Sequence, residues 1–184
     1  MSKTEVTPEP SFEKSIAELF LHEGSRVCEN DKGRGVTKYG LSVKSYREAG
    51  ITKINGEKIT DQFIRDLTPS EAAGFYYHHR WLKYNLHKMP CGRLSTTMLV
   101  CLTSFLLSAW YLQRVINEHR PTDALKVDGI IGPKTIRAVH ADNCDRVVRG
   151  IKAKVTRYYE ELYRKNPERY HDVIDGWRAR IQSQ

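Results

Sequence analysis

The stretch Leu21-His22-Glu23-Gly24-Ser25-Arg26-Val27-Cys28-Glu29-Asn30-Asp31-Lys32-Gly33-Arg34-Gly35-Val36-Thr37-Lys38-Tyr39-Gly40-Leu41-Ser42 decides how the rest of the chain reads. Just before it, Phe12, Ile16, Leu19 and Phe20 recur at helical spacing, and the same face arrives at Glu23. A carboxylate that ends an apolar stripe sits at the edge of a core rather than in open water. Desolvation there disfavours the charged form, which is the condition a general acid needs near neutral pH. Gly24 supplies a helix stop, because it enters the left-handed region without a Cβ penalty. An isolated Glu-Gly at a helix end is more often a solvated terminus; the glycine-punctuated, carboxylate-rich loop that follows favours chemistry. Within it Val36–Leu41 reads as a short hairpin that would set Thr37 facing Glu23 across a cleft.

Glu23-Gly24, the glycines at 33 and 35, and Val36-Thr37-Lys38-Tyr39-Gly40-Leu41-Ser42 resemble the active-site segment of glycoside hydrolase family 108. Members of that family are phage-type N-acetylmuramidases, with a pattern close to Glu-Gly-Gly-Tyr, Asp-x-Gly-Gly-x-Thr-x-x-Gly-Ile. Here Ser25 and Arg26 stand at the second glycine and the tyrosine. With Glu23 and Thr37 aligned, the family aspartate falls on Lys32, Asp31 lies one position early, and the Gly-Gly pair becomes Arg34-Gly35. The resemblance implies a mainly α, lysozyme-like helical fold with a small β-hairpin lobe beside the active site.

A chain of 184 residues holds one substantial core, in one or two lobes. Its 40% hydrophobic and 28% charged content is that of a soluble globular protein. The net charge of +8 calls for an anionic partner, which charge alone does not choose. Cys28, Cys91, Cys101 and Cys144 lie far apart with no Cys-x-x-Cys pair and read as free thiols of a reducing cytosol. His22 and His78-His79 lack metal-ligand spacing. The polar first ten residues hold no apolar signal core, so export would need another route.

Residues 1–10 read as a flexible tail, and Ser11 as the cap of a helix running to Glu23. Residues 43–60, with Gly50 and Asn55-Gly56, read as a short helix and a turn. Thr68-Pro69-Ser70-Glu71 is a capping box with proline at the first helical position, opening a helix that ends before Met89-Pro90. On that helix Tyr77 and Trp81 are candidates for stacking on sugar, the neighbouring aromatics for the core. Ser95–Leu112 carries no charge and approaches membrane-spanning length, but its serines and threonines favour a buried helix at the centre of a bundle. Its end, Ala109-Trp110-Tyr111-Leu112-Gln113, fits the family's Ala-x-x-Leu-Gln. Leu99, Thr103 and Phe105 stand where the family has polar residues and glycine.

Val127-Asp128-Gly129-Ile130-Ile131-Gly132-Pro133-Lys134-Thr135 marks tight turns and a helix opened by Pro133 through roughly His140. This Asp-Gly-x-x-Gly-Pro-x-Thr pattern resembles the peptidoglycan-binding half of the same family. An amphipathic helix follows, with Val147, Val148, Ile151, Val155, Tyr158 or Tyr159 and Leu162 on one face and a basic opposite side. Gly176-Trp177-Arg178-Ala179-Arg180 matches the family's closing Gly-Trp-x-x-Arg.

Taken with the resemblance, these readings divide the chain into a muramidase catalytic lobe, 11–90, and a helical peptidoglycan-binding lobe, 91–184, packed as one globular unit. The expected reaction is hydrolysis of the β-1,4 bond between N-acetylmuramic acid and N-acetylglucosamine in peptidoglycan. Glu23 is the expected general acid and Asp31 the second carboxylate, with Glu29 in reserve; Thr37 would orient water or substrate. Tyr39, Tyr77 and Trp81 are the expected substrate contacts. No metal and no cofactor is expected. The partner is the glycan strand, with no nucleic acid, no stable membrane insertion and a monomeric state. The implied setting is a phage endolysin made in the host cytoplasm that reaches the periplasm or wall after release. Two competing readings are a wall-binding or virion structural protein that has lost the chemistry, favoured by Lys32 and the apolar central helix, and a nucleic-acid binder, for which only the charge speaks.

Overall fold

A computed structural model describes residues 10–29, 35–104 and 107–182, and the chain divides into two compact units, residues 1–79 and 80–184. The boundary expected from the sequence lies at 90/91. The expected flexible tail falls almost wholly outside the described residues, as does Asp31.

The first unit opens with α1 (Pro10–Glu23), which buries Phe12, Ile16 and Leu19 along the predicted face. Gly24 ends it at φ 69°, its N–H bonded to the Phe20 carbonyl. The expected hairpin follows as β1 (Thr37–Lys38) and β2 (Leu41–Ser42), antiparallel, with Thr37 opposite Ser42 and Lys38 opposite Leu41. Ser42 then caps α2 (Val43–Glu48) in a reciprocal box with Ser45. Where only a turn was expected at Asn55-Gly56, two short strands pair across it, β3 (Lys53–Ile54) with β4 (Glu57–Lys58). Asn55 and Gly56 both take positive φ, the requirement of a two-residue hairpin turn. Helix α3 (Asp61–Asp66) packs on β1 and β2. The Thr68 capping box opens α4 (Pro69–Tyr76) as predicted, with Pro69 in its first turn. The helix does not run on to Met89: it widens into a π-helical stretch over Tyr77–Leu82, and a 3-10 turn covers Leu86–Lys88.

In the second unit the uncharged stretch is not one helix. It is divided between α5 (Gly92–Ser104) and α6 (Ser108–Glu118), and among the described residues no helix is long and apolar enough to cross a membrane. Leu94 and Met98 through Leu102 are fully buried, so α5 is enclosed on all sides. Its hydroxyls tolerate burial because each bonds back one turn: Thr96 to the Gly92 carbonyl at 3.0 Å, Thr97 to Arg93 at 2.8 Å and Thr103 to Leu99 at 2.8 Å. Pro133 opens α7 (Pro133–His140) as expected. Helix α8 (Cys144–Lys165) buries Val147, Val148, Ile151, Val155 and Tyr159, the predicted stripe, against α5, α6 and α9 (Pro167–Gln182). The closing Gly-Trp-x-x-Arg motif lies on α9, although the side chains of Trp177 and Arg180 are outside the described ones.

The expectation of free thiols fails for one pair. Cys91, just before α5, and Cys144, at the start of α8, form a disulfide with Cα atoms 6.8 Å apart. They lie 53 positions apart in sequence, so only the packing of α8 on α5 brings them within reach. Cys28 and Cys101 remain thiols.

Candidate active site

Glu23 is the last residue of α1 and is half-buried, with its Oε1 buried. Its carboxyl meets the turn of the β1–β2 hairpin. A Cβ placed on Gly40 would stand 2.8 Å from both Cδ and Oε2 of Glu23 and 2.9 Å from the Tyr76 hydroxyl. Only a glycine leaves that space, and the turn also demands one, with φ 73° at Gly40. Its companion Tyr39 adopts φ 52°, a conformation a bulky residue holds only when its surroundings compel it. Two contacts do so: the Tyr76 hydroxyl donates to the Tyr39 carbonyl at 2.7 Å, and the Phe20 ring lies 4.9 Å from the Tyr39 ring. The end of α1, the hairpin turn and α4 therefore fix one another around a single carboxyl group.

Cys28 and Thr37 exchange both backbone hydrogen bonds at 2.9 Å, an isolated antiparallel bridge that joins the end of the hairpin strand β1 to the segment after α1. Thr37 contributes to this site through its backbone and through its pairing with Ser42. Glu29, the reserve carboxylate, is committed elsewhere: Arg65 holds it with Nη2 at 2.7 Å and Nε at 3.1 Å. The hydrogen bond from Arg65 keeps the exposed Glu29 carboxyl charged, below its ordinary range. Lys38 reaches back to the Arg65 carbonyl at 2.7 Å, tying α3 to the hairpin.

Of the expected substrate contacts, Tyr77 is half-buried, its ring edge-on to Phe12 at 4.9 Å. Tyr39 is 7% exposed and Trp81 0%. A ring with no free face cannot stack on a sugar, so both are corrected to core residues, Tyr39 as the pillar of the turn. The expected site lacks Tyr76, and Gly40 enters it only within the Val36–Ser42 segment, with no role of its own. The available signal was a tyrosine, rather than phenylalanine, on an apolar helix face, since a buried hydroxyl needs a partner. Among the described residues no group of three His, Cys, Asp or Glu side chains is placed to hold a metal ion.

Residues 16–101, which carry this arrangement, match the family model described as glycosyl hydrolase 108. This segment is a glycosyl hydrolase 108 domain. Residues 108–182 match a second model, described as a predicted peptidoglycan domain. Joined in one chain, the glycosyl hydrolase 108 domain and the peptidoglycan domain are the parts of a peptidoglycan hydrolase. Among solved structures, Brucella abortus SagA resembles the chain with a TM-score of 0.70 and 19% identity, covering 94% of each chain. That likeness shows the mainly helical fold expected of a lysozyme-like protein. No curated protein sequence matches the chain.

The second domain has its own ordered centre. The Gln113 amide reads the loop that the Asp-Gly-x-x-Gly-Pro-x-Thr pattern encodes. Its Oε1 accepts from the N–H groups of Asp128 at 3.0 Å and Gly129 at 2.8 Å. Its Nε2 donates to Asp128 Oδ1 at 2.9 Å and to the Ile130 carbonyl at 3.1 Å. Asp128 Oδ1 in turn accepts from the Ile130 N–H at 2.9 Å. The motif is thus a scaffold for a loop, with Gln113 as its buried partner.

Proposed function

We propose that the protein is an N-acetylmuramidase that cleaves the β-1,4 bond between N-acetylmuramic acid and N-acetylglucosamine, with Glu23 as general acid. The observation that carries this reading is the half-buried Glu23 carboxyl held against the glycine of a hairpin turn, inside the glycosyl hydrolase 108 match. Departure of a sugar oxygen needs a proton, and a second carboxylate or a positioned water on the opposite side of the ring completes the reaction. Asp31 is assigned that second role because Glu29, the other candidate carboxylate, is engaged by Arg65. Thr37, on β1, orients water or substrate. No cofactor enters the scheme, and the protein works as a monomer on glycan strands.

The setting proposed is bacteriophage release: an endolysin made in the host cytoplasm that acts on the wall once it leaves. The Cys91–Cys144 disulfide supports action in an oxidising compartment, since such bonds persist outside the cytosol. The test is digestion of purified peptidoglycan followed by borohydride reduction and mass spectrometry of the fragments. New ends that carry reduced N-acetylmuramic acid are expected. Reduced N-acetylglucosamine instead would overturn the bond assignment. Intact sacculi that nevertheless bind the protein would move the assignment to a wall-binding protein without chemistry.

A further inference from the structure

Most apolar side chains of α6 are buried, yet Trp110 is 41% exposed, and Ile130 in the following loop is 67% exposed. The indole of Trp110 is not loose. It lies against the backbone of Gly129, so close that a Cβ there would overlap Nε1 and Cδ1. Gly129 is held at φ 76° by its hydrogen bond to Gln113. A half-exposed aromatic braced by a loop with a buried amide at its centre costs little ordering entropy when something binds to it. The next residue, Ile130, turns into the wall of a pocket of about 190 Å³, which Lys126, Asp128 and Lys134 also line. Asp128 is already engaged by Gln113 and the Ile130 N–H, whereas both lysines are exposed.

We propose that Trp110 and Ile130 form a platform for an N-acetylated sugar ring of a glycan strand, and that the adjoining pocket receives a carboxylate of its peptide stem at Lys126 and Lys134. This rests on the reading of residues 108–182 as peptidoglycan-binding. With its Nε1 side packed on Gly129, the indole offers a flat apolar surface to the C–H face of a pyranose. The charge decides the occupant: two exposed lysines beside an apolar ledge suit a polymer whose sugars are apolar on one face and whose stems end in carboxylates. A second copy of this basic chain would bring like charge to the same place.

The experiment is co-sedimentation with purified sacculi, using full-length protein carrying Glu23→Gln so that the wall stays intact. Trp110→Ala, and separately Lys126→Glu with Lys134→Glu, are each expected to weaken binding about tenfold or more, the loss typical of an interface anchor. Thermal melts establish that each variant is folded; the exposed lysine pair keeps the test valid if Trp110→Ala is not. Folded variants that sediment as well as their parent would overturn the platform while leaving peptidoglycan binding in place. A parent that does not sediment at all would instead overturn the reading on which the platform rests. A loss of dimer in sedimentation velocity with Trp110→Ala, at unchanged wall affinity, would reassign the surface to self-association.

Discussion

At the scale of single residues, Gly40 has more depending on it than its size suggests. A side chain there would have to occupy a left-handed conformation, which costs about 1–2 kcal/mol, and would also push on the Glu23 carboxyl. Gly40→Ala is therefore expected to lower both the melting temperature and the rate of wall clearing, with the rate falling further than the lost stability accounts for. A variant that melts lower but clears normally would separate the glycine from the acid. Gln113 makes the complementary prediction. Gln113→Leu keeps the volume but strands the N–H groups of Asp128 and Gly129, at about 1–3 kcal/mol for each unsatisfied group. Urea unfolding should show that loss, and wall binding should fall with it.

Asp142 supplies the pH dependence. Its side chain is buried, and burial alone would raise its pKa. The hydrogen bonds from Arg146, at 3.0 Å, and His119, at 2.9 Å, more than offset this and hold the carboxyl below its ordinary value. A carboxyl depressed in the folded state contributes its full stability above the ordinary aspartate value of 3.8, and that contribution fades as pH falls through the folded value. Melting temperature should therefore drop on the acid side below that point, and Asp142→Asn should flatten the drop while lowering stability at neutral pH.

At the scale of elements, the sequence was most legible where a local pattern states its own physics. The apolar stripe of α1, the Thr68 capping box, the proline that opens α7 and the stripe of α8 all lie where period and capping put them. The misreadings have a common cause, which is tertiary context. The β3–β4 hairpin is too short to show alternation, and only the positive φ of Asn55 and Gly56 defines it. The uncharged stretch gave no sign of its division into α5 and α6, because it holds no charged residue, proline or glycine that would mark a boundary. Trp81 and Tyr39 were read as sugar contacts, since aromatic identity does not distinguish a ring inside a core from one on a binding surface. The half-buried position of Glu23 was legible, because an acid at the end of an apolar stripe is a local contradiction. Its supports, Gly40 and Tyr76, were not, because they reach it from elements distant in sequence.

At the scale of the whole molecule, the disulfide and the net charge each have a measurable consequence. Cross-linking positions 53 residues apart removes chain entropy worth about 4 kcal/mol on the loop-closure model. Reduction with dithiothreitol should thus lower the unfolding midpoint in urea markedly, and Cys91→Ala with Cys144→Ala should abolish the sensitivity. The excess of basic residues, +8 overall, matches an acidic polymer as substrate and implies that wall binding weakens as salt rises. The account depends most on the general-acid role proposed for Glu23, and the direct measurement is the release of reducing sugar ends from purified peptidoglycan by Glu23→Gln. We expect a fall of at least about a hundredfold, the lower bound of what a general acid contributes, with melting temperature and wall sedimentation unchanged. Release at the wild-type rate by that folded variant would contradict the assignment of Glu23, and with it the catalytic site described above.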